Sequence, residues 1–273
     1  MSDAALAPAE AAAAAEALWD RVAAVVDGAL ATGDPVTWHR PTPCPAWDVH
    51  DLVAHVTGAT SRFAGLDQPA IPEGWAPPAG MSALDAQMER DVAARRDWSP
   101  GRLREELDRA ARAQVEGLAA LDDLTGDAVG PLGPTDQRDL FAVRMFDLWH
   151  HLWDLSTALG VPADLADGSR AAVECHTYVA ARIPWLHSRQ AAAPEGAAVR
   201  VVLGDPLRWD RTAVVVDGRG RWGDVPAEDV LEAPAAVFSL LMTGRLDEGA
   251  AAAAGLVTTG GEASRLATAR MFS

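Results

Sequence analysis

The chain has 273 residues, 39 of them acidic against 23 basic, and a formal charge of −16 with a sequence pI of about 4.7. So acidic a surface repels phosphate backbones and anionic membranes, which argues against nucleic acid or a membrane as partner. Every basic residue is arginine, so chemistry through a lysine Schiff base is excluded.

The length suits two domains, and with 49% hydrophobic residues a sizeable core is available. No apolar run is long enough to cross a bilayer. The N-terminal stretch MSDAALAPAEAAAAAEALWD is alanine-rich but acidic, without the basic start and leucine-rich centre of a signal peptide, so a cytoplasmic protein is expected. Cys44 and Cys175 are far apart in sequence and form neither a disulfide framework nor a paired-cysteine metal motif.

In chain order, residues 8–31 read as a helix with Leu18, Val22, Val25 and Leu30 on one side. A loop with four prolines, TGDPVTWHRPTPCPAW, follows. A second helix opens with Asp48 as N-cap, Asp51 in its acidic first turn, and Trp47 and Leu52 at the spacing of a hydrophobic staple. It carries His55 and runs to about Phe63. Residues 66–81 form a Pro/Gly-rich loop, and Ser82 with Asp85 caps a helix to about Trp98. Ser99-Pro100 opens another, with Leu103, Leu107, Val115 and Leu118 inward. After the turn GPLGPT, a helix spans about 136–159. This part is all-α, most simply a four-helix bundle with an extra helix in a connection.

The character changes after Gly160. A helix over about 167–187 precedes the β-branched runs VRVVLG and TAVVV, with Asp217-Gly218 as a hairpin turn. A helix over about 226–243, a short LVTT strand and a terminal helix complete a small α+β domain. The expected organisation is α+β in two domains, 1–162 and 163–273.

The helix over 136–159 contains RMFDLWHHLWDL, residues 144–155. At about 100° per residue, Arg144, Asp147, His150, His151 and Asp154 share an arc of about 120°. An amphipathic helix turns such an arc to water routinely. A solvated face, however, is usually Glu, Gln, Ser and Arg, as over 102–114, whereas His and Asp bind divalent metals. Asp147 and His151, four apart, stack one turn above the other. A bundle site needs a third ligand from a neighbouring helix, and His55, beside the apolar stripe of its own helix, is the best candidate; a lone histidine there is also an ordinary core residue. Two histidines and one carboxylate suit zinc and leave a fourth position open, as in catalytic sites. Asp154 either accepts a hydrogen bond from a ligand imidazole or from Arg144, or is a surface aspartate. His150 is a second-choice ligand or a surface histidine.

TPCPAWDVHDLVAHV, followed about ninety residues later by RMFDLWHHLWDL, resembles the mycothiol-dependent maleylpyruvate isomerase family, within the DinB-like superfamily of metal-binding four-helix bundles. The resemblance covers about residues 15–160. It is looser over 165–273, where MTGR (242–245) and GLVTTGG look like the family's small α/β domain, itself similar to sterol-carrier folds. It implies His55, Asp147 and His151 as ligands of a divalent metal, usually zinc, that binds the thiol of mycothiol. The thiolate would then add to an electrophilic carbon or displace a leaving group. The domain after the bundle contributes an arginine in some members, and Arg245 is the candidate here, beside its alternative as a surface arginine. Arg144 binds a substrate carboxylate or braces Asp147. The acidic ligand here is an aspartate where the founding isomerase has glutamate, one methylene longer, so helix spacing or metal position must differ. Cys44 reads as packed rather than catalytic.

Three functions follow. One is an enzyme that uses mycothiol with a small electrophile, as S-transferase or isomerase. The second is a non-catalytic small-molecule-binding module whose metal is structural, with His150 as a fourth ligand, or absent. The third is a sensor of thiol or metal status, for which the chain carries neither a DNA-binding motif nor a long acidic tail.

Overall fold

Alanine-rich helix α1 (Pro8–Ala31) starts at a proline, which needs no N–H partner in the first turn, and the Glu10 carboxylate accepts a hydrogen bond from the Ala7 N–H. The computed structural model describes residues 6–131, 133–162 and 164–272. The first five residues of the N-terminal stretch and Leu132 of the GPLGPT turn lie outside them. The chain divides into two compact units, Met1–Ala163 and Asp164–Ser273.

In the first unit, α1, α2 (Val49–Phe63), α4 (Pro100–Ala119) and α5 (Gln137–Leu159) pack on one another, and α3 (Ala83–Ala93) lies against α2. Asp48, Ser82, Ser99 and Asp136 each accept a hydrogen bond from a first-turn N–H, capping α2, α3, α4 and α5. Gly160, in the left-handed region at φ 69°, ends α5. The inward face of α1 is Leu18, Trp19, Val22, Val26 and Ala29, with Val25 and Leu30 only half-buried. Val115 and Leu118 are likewise half-buried, because the last turns of α4 rise out of the core.

Close approach of α3 to α2 depends on Gly58. A Cβ there would come within 2.8 Å of Asp91 Cβ and of an Arg95 guanidinium nitrogen. That crossing encloses an ion pair: Arg95 Nε and Nη2 donate to the Glu106 carboxylate at 2.9 and 2.8 Å, and Ser61 Oγ donates to it at 3.1 Å. Strands β1 (Asp127–Gly130) and β2 (Gly133–Asp136) pair antiparallel as a hairpin just before α5, where the sequence shows only a turn.

In the second unit, α6 (Arg170–Ala180) ends earlier than the helix expected to 187. Pro184 lacks the N–H a continuing helix requires, and the chain restarts as the single turn α7 (Ile183–Trp185) and a π-type turn over Leu186–Gln190. A five-stranded mixed sheet follows: β3 (Ala198–Leu203), β4 (Trp209–Val216), β5 (Arg219–Gly223), β6 (Val230–Ala233) and β7 (Val257–Thr259), in the order β5-β4-β3-β6-β7. Only the β3–β6 pairing is parallel, with Arg200 opposite Val230. The expected helix over 226–243 thus begins as loop and strand, and Pro234 separates β6 from the buried helix α8 (Ala235–Met242). Short helices α9 (Glu248–Ala253) and α10 (Gly261–Ala267) complete the unit. Among the described residues no helix is long and apolar enough to cross a membrane.

Candidate metal centre

The polar arc of α5 does not face water. Arg144, His150, His151 and Asp154 are buried, and Asp147 keeps 21% of its side chain exposed. Tertiary contacts decide this: Arg144 and Asp147 meet α2, and Asp154 meets the proline-rich loop before it.

His55 on α2 is 1% exposed, and neither ring nitrogen has a hydrogen-bond partner. Leaving such atoms unsatisfied costs about 1–3 kcal/mol each, so they ask for an explanation. Asp147 Oδ1 lies 3.8 Å from His55 Nε2 and 3.4 Å from His151 Nε2. One donor atom from each of the three residues falls within 4.8 Å of the others. Ligands about 2.0–2.1 Å from a tetrahedral zinc stand roughly 3.3 Å apart, so this donor set fits a small divalent cation after minor side-chain adjustment.

The surrounding groups hold two of the three donors in that pose. Arg144 Nη1 donates to Asp147 Oδ2 at 2.9 Å and Nη2 to Thr60 Oγ1 at 3.0 Å, so Asp147 presents Oδ1 to the two imidazoles. On the far side, His151 Nδ1 meets Asp154 Oδ2 at 3.0 Å. A carboxylate only accepts, which places a proton on Nδ1 and turns Nε2 toward Asp147. The Trp47 indole stacks on His55 with centroids 4.5 Å apart, and its N–H donates to Glu89 at 3.1 Å.

Electrostatics divides the three donors. Burial pushes the His55 pKa down, the nearby Asp147 carboxylate opposing it. Burial also works against charge on His151, but the Asp147 carboxylate and the groups bonded to the ring outweigh it and hold its pKa well above the ordinary value. For Asp147, burial raises the pKa and Arg144 and His151 reverse it, leaving the carboxyl well below its usual range. The surroundings thus favour charge on Asp147 and His151 and disfavour it on His55.

His150 is neither a surface residue nor part of this group. Its Nδ1 donates to the Phe146 carbonyl at 2.8 Å, and its ring lies against Phe146 and Trp149. Arg245 is half-buried in the second unit, where its charge draws down a Cys175 thiol that burial has pushed well up. The residue that spacing did not reveal is Cys44. It is half-buried, and its Sγ donates to Asp154 Oδ2 at 3.4 Å, across 110 residues of sequence. Only the fold brings the PCP motif and the end of the arc together.

Residues 11–156 match the mycothiol maleylpyruvate isomerase N-terminal domain. Two uncharacterized proteins of Mycobacterium tuberculosis, from strains CDC 1551 / Oshkosh and ATCC 25618 / H37Rv, are each 28% identical over 130 residues, 46% of this chain. The match spans only 56% of those curated relatives' length. Among solved structures, the mycothiol-dependent maleylpyruvate isomerase and a point mutant of it align over 93% of both chains, with TM-scores of 0.57 and 0.58 and 16% identity. At that identity the likeness concerns the fold.

Proposed function

This chain belongs to the mycothiol maleylpyruvate isomerase N-terminal domain family, and we propose that it is a metal-dependent thiol enzyme using mycothiol, an S-transferase or isomerase acting on a small electrophile. The observation that carries the reading is the pair of unpartnered His55 ring nitrogens, buried beside Asp147 and His151. A divalent cation held there, most simply zinc, would bring the pKa of a coordinated thiol into the neutral range, where the thiolate is the nucleophile.

The chain's own residues do the rest. His55, Asp147 and His151 would hold the ion, which would supply the Lewis acidity that activates a thiol. Arg144 fixes the Asp147 carboxylate and offers its charge to the anionic end of an electrophile. Asp154 retains the His151 Nδ1 proton and so keeps Nε2 basic. Arg245, in the second unit, remains the arginine proposed for the substrate. In this reading the first domain, 1–162, is a DinB-like four-helix bundle, and the second, 163–273, is sterol-carrier-like. The protein works on small molecules in the cytoplasm.

The test is turnover of an electrophile that requires both metal and mycothiol and is lost in His151→Ala while the circular dichroism spectrum is retained. Turnover that survives chelation, or that proceeds at the same rate in His151→Ala, contradicts the proposal.

A further inference from the structure

His151 has two ring nitrogens, and the second also belongs to a three-donor group. Cys44 Sγ stands 3.4 Å from Asp154 Oδ2, and Asp154 Oδ2 stands 3.0 Å from His151 Nδ1. All three donor atoms lie within 4.8 Å of one another. Around a tetrahedral cation, with sulfur at about 2.3 Å and nitrogen or oxygen at about 2.0–2.1 Å, neighbouring donors are separated by roughly 3.3–3.6 Å, so these spacings match as well as those of the first group. The three are tied together by protons: the thiol and the imidazole both donate to one carboxylate oxygen. The atoms that converge on Asp154 through protons would converge equally on a cation.

We propose that Cys44, His151 Nδ1 and Asp154 form a second cation site, for a soft, thiophilic divalent ion. Two features make it a built site. Asp154 is 0% exposed and His151 is buried, both on the rigid helix α5, so the carboxylate and imidazole are fixed in advance. Cys44, half-buried in the loop before α2, is the least buried of the three. Softness then separates the two groups. His55, Asp147 and His151 Nε2 offer nitrogen and oxygen only, whereas this group adds sulfur and prefers cations such as cadmium. When the cation binds, the sulfur–metal bond replaces the S–H bond and the thiol proton leaves to solvent. The His151 Nδ1 proton leaves in the same way. An ion in each group would make the ring a bridge between them.

This inference does not rest on the proposed reaction, because it requires neither mycothiol nor an ion at His55. The test is a cadmium titration of the full chain, read as the ultraviolet thiolate-to-cadmium charge-transfer band. Oxygen and nitrogen ligands give no such band, and the chain has only one other cysteine, Cys175, which is 0% exposed in the second unit. The expected result is a band that saturates at one thiolate per chain. It disappears in Cys44→Ser, persists in Cys175→Ser and in His55→Ala, and needs at least 10-fold more cadmium in Asp154→Asn. Absence of the band in the unmodified chain, or its survival in Cys44→Ser, overturns the proposal.

Discussion

His55 Nε2 on α2 stands 3.8 Å from Asp147 Oδ1 on α5, too far for a hydrogen bond and close enough for both atoms to bind one cation. The gap exists because each partner is held from behind. Trp47 covers the face of His55, and Arg144 holds the other oxygen of Asp147. A buried histidine in a metal-free core usually turns toward an acceptor or a donor; this one turns toward a gap bounded by a carboxylate and a second imidazole.

Replacing the group behind His151 should weaken the His55–Asp147–His151 site without touching any of its three donors. Asp154→Asn keeps the size of the side chain but removes the charge that stabilises the Nδ1–H tautomer. We expect zinc affinity, measured by competition with a chromophoric chelator, to fall by about 10–100-fold. An unchanged affinity would show that Asp154 does not orient the ring.

The Arg95–Glu106 pair is a test of stability away from the site. Glu106→Ala leaves Arg95, 1% exposed, with an uncompensated charge and removes the acceptor of Ser61. The expected cost is about 3–5 kcal/mol in urea unfolding, whereas the double replacement Arg95→Met/Glu106→Leu should cost far less.

Gly58 reverses an ordinary expectation. Alanine in a helix interior is normally favoured over glycine by about 1 kcal/mol. Here the added Cβ meets Asp91 Cβ at 2.8 Å, an atom that moves only with the α3 backbone. Gly58→Ala should therefore lower stability by about 1–3 kcal/mol, seen as a lower urea midpoint. A stabilised variant would mean that α3 yields freely.

A pH dependence arises in the second unit. His176 is buried with its Nδ1 2.9 Å from Ser239 Oγ, and burial lowers its pKa to about 4, the charge of Asp167 opposing. The unfolded chain, with a histidine near 6.5, binds more protons than the native one between these values. Stability from this group is thus complete above about pH 6.5 and is lost as pH falls toward 4, by roughly 3 kcal/mol. The difference in urea midpoint between the unmodified chain and His176→Gln should shrink over that interval; a constant difference would refute the assignment.

How much of this was legible in the sequence depended on how local the determining physics was. The boundaries of α1, α2 and α5 are set by residues within one turn of each end, so Pro8, Asp48, Asp136 and Gly160 announce them. The strand β6 was missed because Val-Leu-Glu-Ala suits either helix or strand, and its identity is decided by parallel pairing with β3, about thirty residues away. The wheel of α5 grouped Arg144, Asp147, His151 and Asp154 correctly on one side but could not say which way that side faced. His150 went astray for the same reason: its place between Phe146 and Trp149 depends on what α5 packs against. Cys44 reads as a packed residue, and its contact with Asp154 is out of view because that residue lies 110 positions on.

The most direct test is the metal content of the purified full chain after zinc loading and gel filtration, compared with that of His55→Ala. The account predicts that the unmodified chain retains one equivalent more than the variant, and that X-ray absorption shows two imidazoles on that ion. Equal zinc in the two proteins, or an ion without imidazole ligands, would contradict it.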